Sequence, residues 1–356
     1  MRKIAIVLII LLLTSICLIV GCSSGTRYAV DSTSEPVNVH EMNFTDSLGR
    51  TVTVNVPATR IVALNSNTGE LLADIGAGGT VVGLASPAFT ARPWMISRFP
   101  NPVPVGSWSD PNCEQILDLK PDVVIAYSST KNLDRVTAGN VPVLYLDVDN
   151  ATETIPAIRA MGQITGKTEI AEKLAQFYQK YYDLVETRLS NISEDQKPRI
   201  YMEMYSDYVS VMPGSASDHI IRLTGGRNIV QISASGDYPV ISKEYIVHEN
   251  PDVIIRAVNT ANLDNNPDID LKPVYNALIS RDGYENIKAV SGKRVYVLTG
   301  EMLYGPRSFS GVLALARILH PELFSDIDPQ QALDEYAERF MPEAKKGNAR
   351  IYPVLL

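Results

Sequence analysis

Aromatic and cationic side chains, rather than a nucleophile with its base, are the chemistry this chain offers. Trp108 and Tyr238 stand six residues before two glutamates, Glu114 and Glu244, in stretches that nearly repeat each other. Tyr127 follows "PDVVIA" and so ends a strand, and Arg256 holds nearly the same place after "PDVII". Tyr304 and Arg307 lie in "LYGPRSF", just before a helix. Aromatics of this kind present large, rigid apolar faces to a bulky ligand, and the planar arginine fork suits carboxylate or catecholate oxygens. Packing against a neighbouring helix, for the aromatics, and ion pairing, for the arginines, are the alternative readings. The four histidines, His40, His219, His248 and His320, show no pair at zinc or manganese spacing. No metal site of the protein's own and no cofactor is therefore expected. There is no G-x-S-x-G, Walker A or H-E-x-x-H motif, so no catalytic residue is assigned.

The elements that must position these residues are written twice. "GSWSDPNCEQILDLKPDVVI" from Gly106 and "GDYPVISKEYIVHENPDVII" from Gly236 share Gly, Glu, Ile, Pro, Asp, Val and Ile at a constant offset. Each reads as a short helix opened by a cap, Asn112 or Ser242, closed before a proline and leading into a buried strand. Glu114 and Glu244 then sit in a helix's first turn, where the macrodipole alone favours a carboxylate. Around the repeats, β-branched runs such as "RIVALN", "TVVGLA" and "VPVLYLDV" alternate with helical stretches, the pattern of an α/β fold with mostly parallel sheets. "MNFTDSLGRTVTVNVP" reads as a hairpin. Helical spacing without strand signal runs from about Glu153 to Asn191, broken near Gly166. The expected organisation is an export signal over 1–21, a tether over 22–42, an N-terminal lobe over 43–152, a bridging helix over 153–195 and a C-terminal lobe over 196–356.

The N-terminus places the chain. "MRK" precedes an apolar run from Ile4 to Val20, which as a helix spans ~25 Å, short of the ~30 Å hydrocarbon core. That is the layout of an export signal, with an uncleaved anchor as the alternative. "IVGC" resembles a lipobox, which implies that Cys22 is lipidated and begins the mature chain on the outer face of a membrane. Of three cysteines, Cys17 falls in the signal, so Cys113 has no intramolecular partner left. The net charge of −8, lowered by two on loss of Arg2 and Lys3, argues against a nucleic-acid partner.

"GSWSDPNCEQILDLKPDVVIAY", with "RIVALNSNTGELLADIGAGGTVVGL" before it and "MGQITGKTEIAEKLAQFYQKY" after it, resembles the substrate-binding proteins of ABC importers for ferric siderophores, haem and cobalamin. The resemblance runs from Phe44 to Met341. It implies two similar α/β lobes joined by one long rigid helix, little closure, and a ligand held between the lobes. By the same resemblance Trp108 and Tyr238 face the cleft, with Tyr127, Arg256, Tyr304 and Arg307 as further ligand contacts. It also implies that Glu114 and Glu244 dock on arginines of a two-fold permease, which works with its ATPase. The expected ligand is a small-molecule metal chelate, a ferric siderophore first, with cobalamin or haem as the alternative. A surface sensor of the same ligand, or a hydrolase on this scaffold, are the readings from other classes.

Overall fold

The computed structural model describes residues 38–232, 238–259, 270–341 and 351–353. The proposed lipidation site Cys22 and the export signal lie outside the described residues. Strands β1 (His40–Thr45) and β2 (Thr51–Val56) form the expected antiparallel hairpin. Its turn is held by Asp46, whose carboxylate accepts from the Leu48 and Arg50 amides.

Two five-stranded sheets follow. The first is built from β3 (Ile61–Ala63), β4 (Val81–Leu84), β5 (Val103–Pro104), β6 (Val123–Ala126) and β7 (Val143–Tyr145), in the order β5-β4-β3-β6-β7 and all parallel. The second is built from β8 (Arg199–Met204), β9 (Arg227–Asn228), β10 (Val253–Val258), β11 (Val295–Thr299) and β12 (Ile351–Tyr352). Its order is β12-β11-β10-β8-β9, with only β12 antiparallel. Strands β6 and β10 are apolar along almost their whole length and buried, because helices cover both faces of each sheet.

The helices that matter for the site are α1 (Ser66–Asp74), α2 (Cys113–Asp118), α3 (Ala151–Thr165), α4 (Thr168–Leu189), α5 (Ala216–Leu223), α6 (Lys243–Glu249), α7 (Ser308–Leu319) and α8 (Pro329–Phe340). The repeated stretch folds the same way twice. Asn112 and Ser242 cap α2 and α6 through their side chains, as expected from the sequence. Lys120 and Asn250, at the same offset, both turn left-handed and stop the helix before the proline. The aspartates behind the prolines also match. Asp122 accepts from the Arg60 amide and Asp252 from the Arg199 amide, each tying the repeat to the first strand of its own sheet.

The 153–195 stretch is two helices rather than one. Gly166 takes a φ of 68°, which a side chain disfavours, and turns the chain so that α4 folds back along α3; Arg159 and Glu172 pair across the turn at 2.8 Å. The 22 residues of α4 then form the long helix of the bridge, about 33 Å by its rise per residue. Phe177, Tyr178 and Tyr181 on α4 meet Phe309 of α7 and Tyr336 and Phe340 of α8 in a cluster of edge-on, tilted and stacked rings. The last helix departs from the expected 196–356 lobe. It returns to the first one, where the Tyr336 hydroxyl donates to Asp74 at the end of α1 and Arg98 donates to the Phe340 carbonyl at 3.1 Å. One hydrophobic core accordingly runs from Phe44 to Met341, through both sheets.

Candidate ligand-binding cleft

Parallel strands send all their carboxyl ends to one edge, and a change of strand order opens a crevice there. In the first sheet the order changes between β3 and β6. The first turn of α1, which follows β3, supplies Asn67, the loop after β6 supplies Tyr127, and the Asn67 amide lies 3.5 Å from the Tyr127 hydroxyl. Segments after β4, β5 and β7 add Arg92 with Trp94, Trp108 and Asp149. In the second sheet, Tyr205 follows β8, Tyr238 follows β9, and Glu301, Tyr304, Gly305 and Arg307 follow β11.

Several of these groups touch across the two walls. Asn67 donates to Asp149 at 2.7 Å, the Tyr127 hydroxyl donates to the same carboxylate, and so does the Gly305 amide from the other lobe. Gly305 has a φ of 72° and its missing Cβ would stand 2.5 Å from Asn67, so both conformation and space demand glycine. Glu70 on α1 is fully buried between two guanidinium groups, Arg92 from its own lobe and Arg307 from the other, each at 3.0 Å. Arg307 also lies 3.7 Å from Glu301 and stacks over Trp94 at 5.4 Å. Tyr304 joins Ser217 of α5 and, at 2.9 Å, the Tyr238 hydroxyl.

Burial, and then the Asp149 charge, hold the Tyr127 hydroxyl well above its ordinary pKa; burial raises Asp149 itself. Burial and the neighbouring Tyr238 do the same to Tyr304. These phenols stay neutral donors at physiological pH. The cleft presents aromatic faces, hydroxyls and an amide, while its two arginines are matched by Glu70 and Glu301. Among the described residues no three metal-ligating side chains converge. His219 faces the Asn150 side chain and His320 the Gly225 carbonyl, neither beside a nucleophile in the cleft.

The residues singled out by sequence land as follows. Trp108 is 46% exposed and Tyr238 45%, on loops at the carboxyl ends of the two sheets. Tyr127, Tyr304 and Arg307 belong to the polar network just described. Arg256 leaves the ligand set: it is the direct strand partner of Glu203, its guanidinium is held by Glu203, Asp207 and the Tyr205 carbonyl, and Arg281 completes this buried ionic cluster. Its place after "PDVII" suggests a strand end, whereas β10 continues two residues past it. Asn67, Arg92, Trp94, Asp149 and Tyr205 escape the sequence reading. Three of them closely follow "IVAL", "LYLDV" and "IYMEM", so a search of every strand end would find them. Glu114 and Glu244 project from the first turns of α2 and α6, both exposed; Glu114 has a loose pair with Arg135 at 3.4 Å.

A family model described as Periplasmic binding protein matches residues 61–302, more than half of the chain. The chain belongs to the periplasmic binding protein family. This binding protein is 23% identical over 336 residues to the uncharacterized ABC transporter substrate-binding lipoprotein YvrC of Bacillus subtilis, covering 92% of this chain and all of that one. It is 24% identical over 212 residues to a vitamin B12-binding protein of Yersinia pestis, covering 58% and 72%. The TroA-like periplasmic binding protein FepB from Veillonella parvula superposes with a TM-score of 0.73 at 23% identity, over 87% of this chain and 99% of that one. At that identity the likeness is one of fold. Membership of that family makes this a ligand-binding protein, and the Bacillus subtilis lipoprotein it resembles is described as the substrate-binding part of an ABC transporter. Among its described residues no helix is long and apolar enough to cross a membrane.

Proposed function

We propose that this binding protein captures an organic metal chelate of low net charge, of the cobalamin type, and delivers it to the permease. The observation that carries this reading is the charge balance of the cleft: Arg92 and Arg307 are each already paired with a buried or half-buried carboxylate. A strongly anionic ferric siderophore, the ligand first expected from the sequence, would have to pull these arginines from Glu70 and leave that charge buried and unmatched, a cost of several kcal/mol. A neutral corrinoid-like ligand needs only flat apolar surface and hydroxyl or amide partners, which Trp94, Trp108, Tyr205, Tyr238 and Asn67 supply. The kinship with a vitamin B12-binding protein is in keeping with it.

Delivery rests on the two copies of the capped helix. Glu114 and Glu244 give two like-placed exposed anions, suited to two equivalent basic sites on a symmetric permease. Anchoring through lipidated Cys22 and the polar stretch after it holds the body near that permease. The test of the ligand is quenching of the two tryptophans by cyanocobalamin, haemin and a set of ferric siderophores. Saturable quenching by the corrinoid alone supports the proposal; tight binding of an anionic ferric chelate in its place refutes it.

A further inference from the structure

A cavity of about 500 Å³ lies away from the cleft, along edge strand β9 and beside α5 and α6. Lys197, Arg199, Arg222 and Arg227 line it, with Glu194, Asp218 and Glu249. So many cations in one recess stand out on a chain of net charge −8. Arg199 and Arg227 are direct partners at the start of the parallel strands β8 and β9, so their side chains leave the sheet on the same face. Like charges placed side by side repel, and an anion bridging them removes that cost.

The carboxylates of the cavity differ in how firmly they are held. Asp218 is buried and fixed by the Gly214 amide, Asn228 and Arg222. Glu249 is mostly covered and holds Arg199. Glu194, by contrast, is 76% exposed and reaches Lys197 across a single turn. Arg227 donates to the Lys197 carbonyl, and the nearby Asp195 carboxyl is held down by the Ser193 hydroxyl and, to a lesser degree, by the Arg227 charge. Four cations against Asp218 and Glu249 in the lining, with the fully exposed Asp195 beside Arg227, leave the recess positive once Glu194 swings out to solvent.

From this we infer a second binding site, for a dianionic phosphate monoester, held between Arg227, Arg199 and Lys197 with Glu194 as the displaceable plug. Arginine forks and a lysine are the usual partners of such a group. The source is either a free phosphate compound or the headgroup of an anionic lipid next to the anchored protein.

Isothermal titration of the purified protein at low salt with inorganic phosphate and with glycerol 3-phosphate tests the site. One saturable site is expected. Arg227→Gln, an exposed change, should weaken it about tenfold or more, the scale of one charge-assisted contact. Glu194→Gln should tighten it, whereas Asp118→Asn, an exposed acid on the first lobe, should leave it unchanged. Co-sedimentation with phosphatidic acid vesicles against phosphatidylcholine vesicles, competed by glycerol 3-phosphate, then separates the two sources. Competition points to the lipid headgroup, and binding of the soluble esters alone points to a free compound. Absence of saturable binding, or tightening of equal size in the Glu194 and Asp118 variants, overturns the inference. Cleft ligand affinity is read in parallel and is expected to be unchanged in all three variants.

Discussion

Asp74, at the end of α1, is a carboxylate removed from water. Burial pushes its pKa up to about 7 against the pull of Arg98 at 2.5 Å, and the nearby Glu70 charge pushes the same way. Arg98 is in turn held above its ordinary value by Asp74. Desolvation together with a second buried carboxylate outweighs one guanidinium, so the Asp74 carboxyl titrates high. An acid that titrates higher in the folded than in the unfolded chain gives its full stabilisation below about pH 4 and loses it as pH rises through about 7. The melting temperature should therefore fall over that interval, and Asp74→Asn should flatten the fall. Parallel pH profiles for the two proteins would mean that Arg98 wins. At the mouth of the cleft, Trp108→Ala should weaken ligand binding by about 1–3 kcal/mol while leaving the melting temperature nearly unchanged, since the indole is half exposed. Loss of stability with unchanged affinity would make it a packing residue. What the sequence could not reveal at this scale is pairing. Arg256 and Arg307 look alike as strand-end or loop cations, and only the register of β10 on β8, or the arrival of α1, shows which carboxylate each already holds.

The capped helix of the repeat was legible almost entirely from sequence, because its signals are local: an Asn or Ser cap, a buried Ile, a proline stop. Its exposed faces match position by position up to the final residue, which leaves Glu114 and Glu244 in equivalent surroundings. Surface ion pairs are individually weak, so the test of docking is the double variant Glu114→Lys with Glu244→Lys. Ligand affinity in solution should stay as it was and complex formation with the permease should be lost. Normal uptake by the double variant would remove these residues from the interface. The splitting of the bridge into α3 and α4 was signalled by Gly166 but not its outcome. A glycine in helical sequence is compatible with a kink as well as with a reversal, and the choice is made by the packing of α4 on α3 and of the aromatic cluster on α4.

Taken whole, the molecule has its two sheets joined at the helical bridge, at the Glu70 pair with Arg307 and the Gly305 bond to Asp149, at His219 facing Asn150, and at α8 crossing back to Asp74 and Arg98. These ties leave little room for hinge motion, and small-angle scattering with and without ligand should give radii of gyration that agree closely. A clear contraction on binding would show that the ties break. The fold class was readable from strand and helix periodicity, whereas the last of these ties was not, because nothing local marks Tyr336 as a partner of Asp74. That contact spans 262 residues of sequence, and it has a consequence for the order of events when the chain is made. The first lobe can form its strands early, yet the carboxylate at the end of α1 has no hydroxyl to meet until nearly the last helix has been synthesised. Loop closure over so long a stretch is slow. The tie between α1 and α8 therefore cannot close before α8 has been made, and a chain cut short before Pro329 would lack it.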